Sequence, residues 1–335
     1  MTVLRILILG GTNFLGRHLV ERALARGAEV TLFNRGKTNP GLYEGVTEIH
    51  GDRTEGLKAL EGLSFDSVID PSGYFPRDVE AAAEFLKPHA PHYVFISTGS
   101  VYSDPDVEEI TEKSPTSPFE AELNTATEFT AESYGPLKAE CERRLQAIYG
   151  DGALVLRPGL IAGRYDKTGR FSYWPQRFRK GGEIIVPANF DAPVQFIDAH
   201  DLAEWALDLC ERKASGTLSA VGPIKRINFG ELLNKLMELA PEGTELVPLS
   251  DTVLKDFGVS PWVGLPLWLP EDAGARGFMA VSTEKAAAAG LTTRPLSKTV
   301  ADILSEIDEE GAFCAGDSLT DADEAEFLSI WRNQG

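Results

Sequence analysis

The sequence predicts an α/β protein. It reads as a doubly wound parallel sheet of about seven strands, with helices on both faces and a smaller lobe drawn mainly from the second half. Three observations carry this. The chain opens on an apolar run, Ile6–Leu9, that passes through a glycine turn into an amphipathic helix. Further short apolar runs then alternate with helical patterns. Beyond Gly222 the alternation stops, and short helices and a Trp- and Pro-rich stretch take over.

Composition sets the bounds. A chain of 335 residues, 43% hydrophobic and 25% charged, is ordinary for a globular protein and long enough to bury a large core. No apolar run reaches the ~20 residues that cross a bilayer. The N-terminal run enters the glycine turn directly instead of a signal-peptide layout, so a cytoplasmic protein is expected. Cys141, Cys210 and Cys314 lie far apart, which favours a reducing compartment over disulfides or a thiolate metal site. The histidines lack HExxH spacing, so no metal is expected; His89 and His92, flanking Ala90-Pro91, read as loop residues. A net charge of −19 argues against a general affinity for nucleic acid or anionic membranes. The acid concentrates in Asp104–Glu142 and Asp302–Glu326, both read as solvated surface.

The opening βα turn comes first. Ile6–Leu9 suits a strand buried on both faces, and Leu15, Leu19, Val20 and Leu24 mark one side of the helix that follows. Strand, tight turn and helix N-terminus make an anion site, because free backbone N–H groups and the helix dipole favour a pyrophosphate there. Gly10, Thr12, Asn13, Phe14, Leu15 and Gly16 are therefore candidate dinucleotide contacts. Gly10 allows the turn, Gly11 lets backbone approach a ligand, Gly16 lets helix pack on strand, and Asn13 suits a positive φ.

The second strand, Glu29–Phe33, ends in Asn34-Arg35-Gly36-Lys37. A cofactor without a 2′-phosphate usually meets a carboxylate at this point. Here Arg35 and Lys37 offer two cations instead, so NADP(H) is expected ahead of NAD(H). Solvated loop charges are the plainer alternative. A third strand, Val46–His50, leads to Asp52 and Arg53. Asp52 can accept from the adenine amino group or cap a short helix near Glu55–Leu60, and the two are compatible.

The fourth strand, Ser67–Asp70, runs into Pro71, Ser72 and Gly73, a loop expected to border the cofactor because ligands lie at strand carboxyl ends. Arg77–Leu86 reads as a helix. The fifth strand, Tyr93–Ile96, ends in Ser97-Thr98-Gly99-Ser100. These hydroxyls serve as hydrogen-bond donors to a ligand or as turn formers. Residues 104–132 read as a flap or long surface loop. Then Tyr134-Gly135-Pro136-Leu137-Lys138 opens a helix through about Tyr149. Residues four apart share a helix face, so Tyr134 and Lys138 can act as a unit. A nearby ammonium favours phenolate, and a phenol so tuned can exchange a proton with an alcohol or carbonyl.

These pieces resemble the short-chain dehydrogenase/reductase superfamily, in its extended NAD-dependent epimerase/dehydratase branch. The resemblance rests on the Gly10–Gly16 turn, Asp52, Ser97–Tyr102, the Tyr134/Lys138 pair, Arg157-Pro158-Gly159 and Val194–Ala203. It implies a Rossmann-type fold, Tyr134 as catalytic acid/base, Lys138 as the group that lowers its pKa and holds the nicotinamide ribose, and Thr98 as the hydroxyl that orients the substrate oxygen. It places Pro158, Gly159 and Leu160 near the nicotinamide. A helix-to-helix homodimer is usual in the superfamily. Two departures stand out. Asn13 replaces a turn glycine, as in atypical members. Gly99-Ser100 follow Thr98 where nucleotide-sugar 4,6-dehydratases carry Asp-Glu, which leaves epimerase or reductase chemistry.

A sixth strand, Ala153–Leu156, precedes this loop. Arg164, Lys167, Arg170, Arg177, Arg179 and Lys180 then interleave with aromatics. This stretch either holds a phosphorylated or nucleotide-linked substrate or forms a salt-bridged surface helix with its aromatics in the core. Ser100, Arg157, Arg164, Arg170 and Gln195 are the substrate-side candidates; Gln195 stands near where nucleotide-sugar enzymes often hold an arginine. Asp198 should cap a helix through about Glu211, and Ser215–Val221 should be the seventh strand. Helices are expected at Asn228–Leu239, Ser282–Ala289 and Lys298–Asp308, an extended piece at Thr244–Leu249, and an amphipathic tail at Ala325–Trp331. Trp262, Leu265, Leu267 and Trp268 line a pocket or wedge the lobe. The expected division is a dinucleotide-binding domain, 1–162 plus 190–222, and a substrate lobe with its tail, 163–189 plus 223–335. The expected activity is hydride transfer at a carbinol or carbonyl carbon of a sugar or nucleotide-linked sugar. A non-catalytic cofactor-binding regulator, or an RNA-binding scaffold like the chloroplast stem-loop-binding proteins that the atypical branch resembles, is the alternative.

Overall fold

The computed structural model describes residues 3–311 and 318–334, so Cys314 lies outside the described residues. In chain order the strands of the main sheet's first half are β1 (Arg5–Leu9), β2 (Glu29–Asn34), β3 (Thr47–His50), β4 (Ser67–Asp70), β5 (Tyr93–Ile96) and β6 (Ala153–Pro158). Short strands follow: β7 (Ile161–Ala162), β8 (Glu183–Pro187), β9 (Pro193–Val194) and β10 (Ile197–Asp198). Then come β11 (Gly216–Ala220), β12 (Ile227–Asn228) and β13 (Glu245–Leu249). The main sheet has seven parallel strands in the order β11-β6-β5-β4-β1-β2-β3. The chain steps outward from β1 to β3, then returns to the other side of β1 at β4. That reversal opens a crevice at the carboxyl ends of β1 and β4.

Alternation along β1 explains the two layers. Ile6 and Ile8 face one side, with Leu15, Leu19 and Val20 of α1 (Phe14–Ala25) and Leu202 and Trp205 of the later helix Ala199–Glu211. Leu7 and Leu9 face the other, with Val79 and Leu86 of α2 (Pro76–Leu86) and Cys141 and Leu145 of α3 (Ala131–Tyr149). Each fully buried Ile or Leu contributes about 1.5–3 kcal/mol. Leu24, expected on the apolar side of α1, is 39% exposed instead.

The second core gathers α4 (Tyr173–Lys180) and β8, which pairs in parallel with β13, whereas α5 (Ala199–Glu211) is the helix already placed beside α1 in the first core. It also takes in α6 (Phe229–Met237), α7 (Asp251–Asp256), α9 (Leu296–Glu310) and Leu328 of α10 (Asp321–Gln334), while α8 (Glu284–Ala288) flanks β11 and packs Ala286 into the first core. Trp174, Phe178, Leu265, Leu267 and Trp268 are buried in this core or its wall, so the Trp-rich stretch is a wedge. The basic stretch is paired with the acidic C-terminal region: Arg164 with Glu309, Arg177 with Glu324, Arg179 with Asp308 and Lys180 with Asp321. The basic stretch therefore takes the salt-bridged alternative at these four positions, and the acidic C-terminal run, expected to be solvated surface, is its partner. Among the described residues no helix is long and apolar enough to cross a membrane.

Several local expectations are corrected. Helix α3 starts three residues before Tyr134, because Thr130 and Ser133 form a reciprocal cap. The helix near Glu55–Leu60 shrinks to a single turn at Lys58–Leu60, and Asp52 instead accepts from the Thr54 N–H and hydroxyl. Residues 104–130 run over the surface but are pinned: Ile110 is buried, and the Glu112 carboxylate accepts from Ser219 N–H. His92 is buried between Ser67 and the Ala214 carbonyl.

Candidate active site

A cleft of about 500 Å³ opens where β1, β4 and β5 end. Its wall includes Gly11, Thr12, Asn13, Phe14, Leu15 and Gly16 from the first turn, and Asn34, Arg35 and Lys37 from the end of β2. Pro71, Ser72, Ser97, Tyr134 and Lys138 complete the far side. A second hollow, about 260 Å³, shares Asn34, Arg35, Ser72 and Tyr74 and extends to Asp52 and Arg53. Residues separated by more than a hundred positions thus face one crevice.

The turn is built from backbone. Gly10 and Gly11 take φ of +122° and +101°, which side chains rarely adopt. A Cβ on Gly11 would also strike Leu32, and one on Gly16 would strike the Gly11 backbone. Asn13, expected at positive φ, is extended at −138°; the strained position falls on Phe14, at 32°. The correction is physical: two consecutive glycines complete the turn before Asn13 is reached.

The end of β2 holds a surprise for the sequence. Asn34 Nδ2 donates at 2.8 Å to Glu48 of β3, a carboxylate that a reading of β2 alone misses. Register alone brings the two strands' ends together. The bond from Asn34 is the main cause that keeps the Glu48 carboxyl below its usual range. Arg35 and Lys37 are exposed and make no ion pair among the described residues.

The phenol of Tyr134 is half-buried. Burial pushes it up to about 12, aided by Tyr74, while the Thr98 hydroxyl and the Arg170 guanidinium act in the opposite direction. Phe129 packs beside Tyr134 at a ring separation of 5.2 Å and stacks on Tyr74 at 5.5 Å. Lys138 behaves differently from expectation. Its Nζ donates at 2.7 Å to each of two carbonyls, Gly73 and Ile96, and it is buried. Burial brings it down to about 8. The ammonium is thus spent on backbone, and the groups favouring phenolate are Thr98 and Arg170. Thr98 also accepts from Ser100 N–H, and its hydroxyl faces the exposed Ser100 side chain at 3.2 Å.

Other candidates have structural partners. Arg53 lines the second hollow but forks onto the buried Asp70 at 2.9 and 3.0 Å. Arg157, expected to meet substrate, is buried against Glu142. Gln195 is buried too; its amide exchanges two hydrogen bonds with the Val281 backbone, at 2.8 and 2.9 Å. Arg164 pairs with Glu309. Arg170 is exposed, and its charge favours the Tyr134 phenolate. Pro158, Gly159 and Leu160 stand back from the cleft, and Ile161, just beyond them, lines it. Among the described residues no cluster of His, Cys, Asp or Glu is arranged to hold a metal.

Comparison with known proteins places this geometry. The family model of the NAD dependent epimerase/dehydratase family matches residues 6–86 and 59–222. The chain is 28% identical over 245 residues to the chloroplast stem-loop binding protein of 41 kDa b from Arabidopsis thaliana, covering 68% of this chain and 61% of that protein. It is 26% identical over 242 residues to human epimerase family protein SDR39U1, covering 67% and 77%. It is 27% identical over 191 residues to UDP-glucose 4-epimerase of Corynebacterium glutamicum, covering 50% and 54%. The fold matches Bordetella bronchiseptica WbmH in complex with NAD+, at a TM-score of 0.66, 18% identity, and 92% and 100% coverage. It also matches the UDP-glucose 4-epimerase of Thermus thermophilus in complex with NAD, at 0.63, 19%, and 92% and 100%. With well over half of its length under the family model and its glycine turn, phenol and lysine on one cleft, this chain belongs to the NAD dependent epimerase/dehydratase family.

Proposed function

We propose that the chain is a nicotinamide-dinucleotide-dependent oxidoreductase or isomerase of the extended short-chain type, acting at a carbinol or carbonyl carbon of a sugar or nucleotide-linked sugar. One observation carries the reading: Tyr134 and Lys138 line the same cleft as the Gly11–Gly16 turn. The cradle suits a dinucleotide. Two glycines at positive φ bare the backbone, and the helix N-terminus behind them favours a pyrophosphate. Asp52 lines the adjoining hollow, which suits the adenine end. Arg35 and Lys37 favour a 2′-phosphate, while Glu48 is turned onto Asn34 and Gly41. NADP(H) is accordingly placed ahead of NAD(H).

A nicotinamide ring bound in the cleft supplies a hydride acceptor or donor. Tyr134 holds the proton at its phenolic oxygen, to take from a carbinol or give to a carbonyl. Thr98 orients the reacting oxygen and, with Arg170, favours the phenolate. Lys138 is placed to exchange a backbone carbonyl for a ribose hydroxyl. The lobe of residues 163–189 and 223–335 supplies Arg170 and the outer wall, against the dinucleotide domain of 1–162 and 190–222. Buried, unpaired Cys141 and Cys210 suit a reducing, cytoplasmic setting.

The test is incubation with NADP+, NAD+ and a panel of UDP-sugars, following both reduced nicotinamide and product isomers. Net cofactor turnover identifies a reductase or dehydrogenase; isomer without net turnover identifies an epimerase. Tyr134→Phe should cut either by about 10²–10⁴. A biological role unaffected by that change would reject catalysis. The similarity to the chloroplast stem-loop binding protein favours a second reading, a cofactor-binding RNA scaffold. The charge of −19 opposes it, and tight RNA binding that survives Tyr134→Phe would establish it.

A further inference from the structure

Lys138 is clamped between the carbonyls of Gly73 and Ile96, with the Phe95 ring 4.0 Å from its Nζ. Each carbonyl belongs to a strand end held by its own buried ion pair. On the Gly73 side, Asp70 is fully buried. It receives the Arg53 fork, the Tyr93 hydroxyl at 2.7 Å and Ser72 N–H at 3.0 Å. A Cβ added to Gly73 would lie 2.9 Å from Asp70 Oδ2, so this turn of backbone rests on the carboxylate. On the Ile96 side, Glu142 stands one helical turn beyond Lys138. Arg157 grips it through Nε at 3.0 Å and Nη2 at 2.6 Å, and the Ser97 hydroxyl donates to it. Ser97 is the residue that follows Ile96.

A buried ion pair is weak evidence for stability, because its desolvation penalty rivals its attraction. Two of them flanking one buried ammonium are better explained by what they do to that ammonium. We propose that Asp70 and Glu142 are positioning residues, each locked by its arginine, that keep Lys138 charged and fixed one turn from Tyr134. Burial opposes the ammonium most, Cys141 on the same helix and then the two carboxylates favour it, and the Arg53 guanidinium opposes it. Tyr74 and Phe95 offer ring faces. Arg157 acts through Glu142. The importance of Lys138 for turnover rests on the function proposed above; the state of its ammonium does not.

The experiment uses the full chain, free of cofactor and substrate, with 13C- and 15N-labelled lysine. The Lys138 side-chain signal, assigned by its loss in Lys138→Arg, is followed against pH. The wild-type midpoint is expected near 8. Asp70→Asn should move it down by a pH unit or more, a tenfold loss of proton affinity. Arg53→Met with Asp70→Asn should move it less, because the repelling guanidinium is gone. Glu142→Gln should also move it down. An unchanged or raised midpoint in folded Asp70→Asn and Glu142→Gln overturns the proposal. Loss of fold in both, seen by circular dichroism, assigns the pairs to stability alone and overturns it equally. A downward shift alongside an inert Tyr134→Phe phenotype keeps this assignment and rejects the enzymatic reading.

Discussion

The carbonyl oxygen of Ser100 packs directly on Gly135, with no room for one added methyl carbon. The turn that carries Thr98 and the helix that carries Tyr134 therefore meet backbone to backbone. Gly135→Ala must push them apart. Overpacking of this kind costs about 1–3 kcal/mol, and it separates Thr98 from Tyr134. Turnover should fall at least about tenfold, since misplacement by about 1 Å can cost a hundredfold, while dinucleotide affinity should hold because the glycine turn is remote. Urea unfolding, steady-state kinetics and cofactor titration measure the three.

Cofactor choice is read from Arg35→Asp. Removing a charge-assisted contact to phosphate and adding a repulsion should weaken NADPH by about 10- to 100-fold. NADH should change by less than about threefold on the same reasoning. Equal loss of both would reject the assignment of Arg35 to a 2′-phosphate.

Acid stability should report His18. Burial holds its imidazole down to about 4, although Nε2 meets the Arg164 carbonyl at 3.0 Å. The unfolded chain takes up this proton near pH 6.5 and the folded chain only near 4. The contribution is full above 6.5 and lost as pH falls toward 4, by about 3 kcal/mol at ~1.4 kcal/mol per pH unit. Urea midpoints between pH 7 and 4 should fall more steeply for the wild type than for His18→Gln.

Lys138 works at the other end of the scale. Its ammonium is buried at full cost below about pH 8, and the unfolded chain keeps the proton up to about 10.5. Stability from this group therefore rises as pH climbs from 8 toward 10.5. Lys138→Met should lack that rise, and a matched pair of pH–stability curves checks it.

The C-terminal helix is tied down by one buried pair. Arg177 donates to Glu324 and to the carbonyls of Gly181 and Glu183, and Glu324 accepts from Ile185 N–H at 3.2 Å. Glu324→Gln leaves a buried guanidinium without its counter-charge and should cost about 3–5 kcal/mol. Limited proteolysis should then release α10. Arg177→Met with Glu324→Leu should recover most of the loss.

Much of this molecule is local and hence legible. Ile6–Leu9 alternates between two faces because a strand has a two-residue period, and Tyr134 and Lys138 share a face because a helix has 3.6 residues per turn. The glycine turn declares itself by residues that alone tolerate its backbone. Strand β8, in the apolar run Ile184-Ile185-Val186, was not foreseen, and its parallel partner β13 lies some sixty residues onward. Periodicity carries no word of that distance.

The fates of the charged residues were not local. Arg53, Arg157 and Arg177 have the same chemistry as Arg170, and no spacing separates them. What divides them is which carboxylate the packed chain delivers: Asp70, Glu142 and Glu324 to the first three. Gln195 likewise spends its amide on a backbone 86 residues away. The sequence by itself determined the sheet, the glycine turn and the phenol–lysine pair, because each depends on neighbours within a few residues. The tertiary structure alone decided that Lys138 is held by Gly73 and Ile96 and that Arg157 is turned onto Glu142. A long cation takes its partner from whatever distant segment desolvates it, and only the folded chain fixes that encounter.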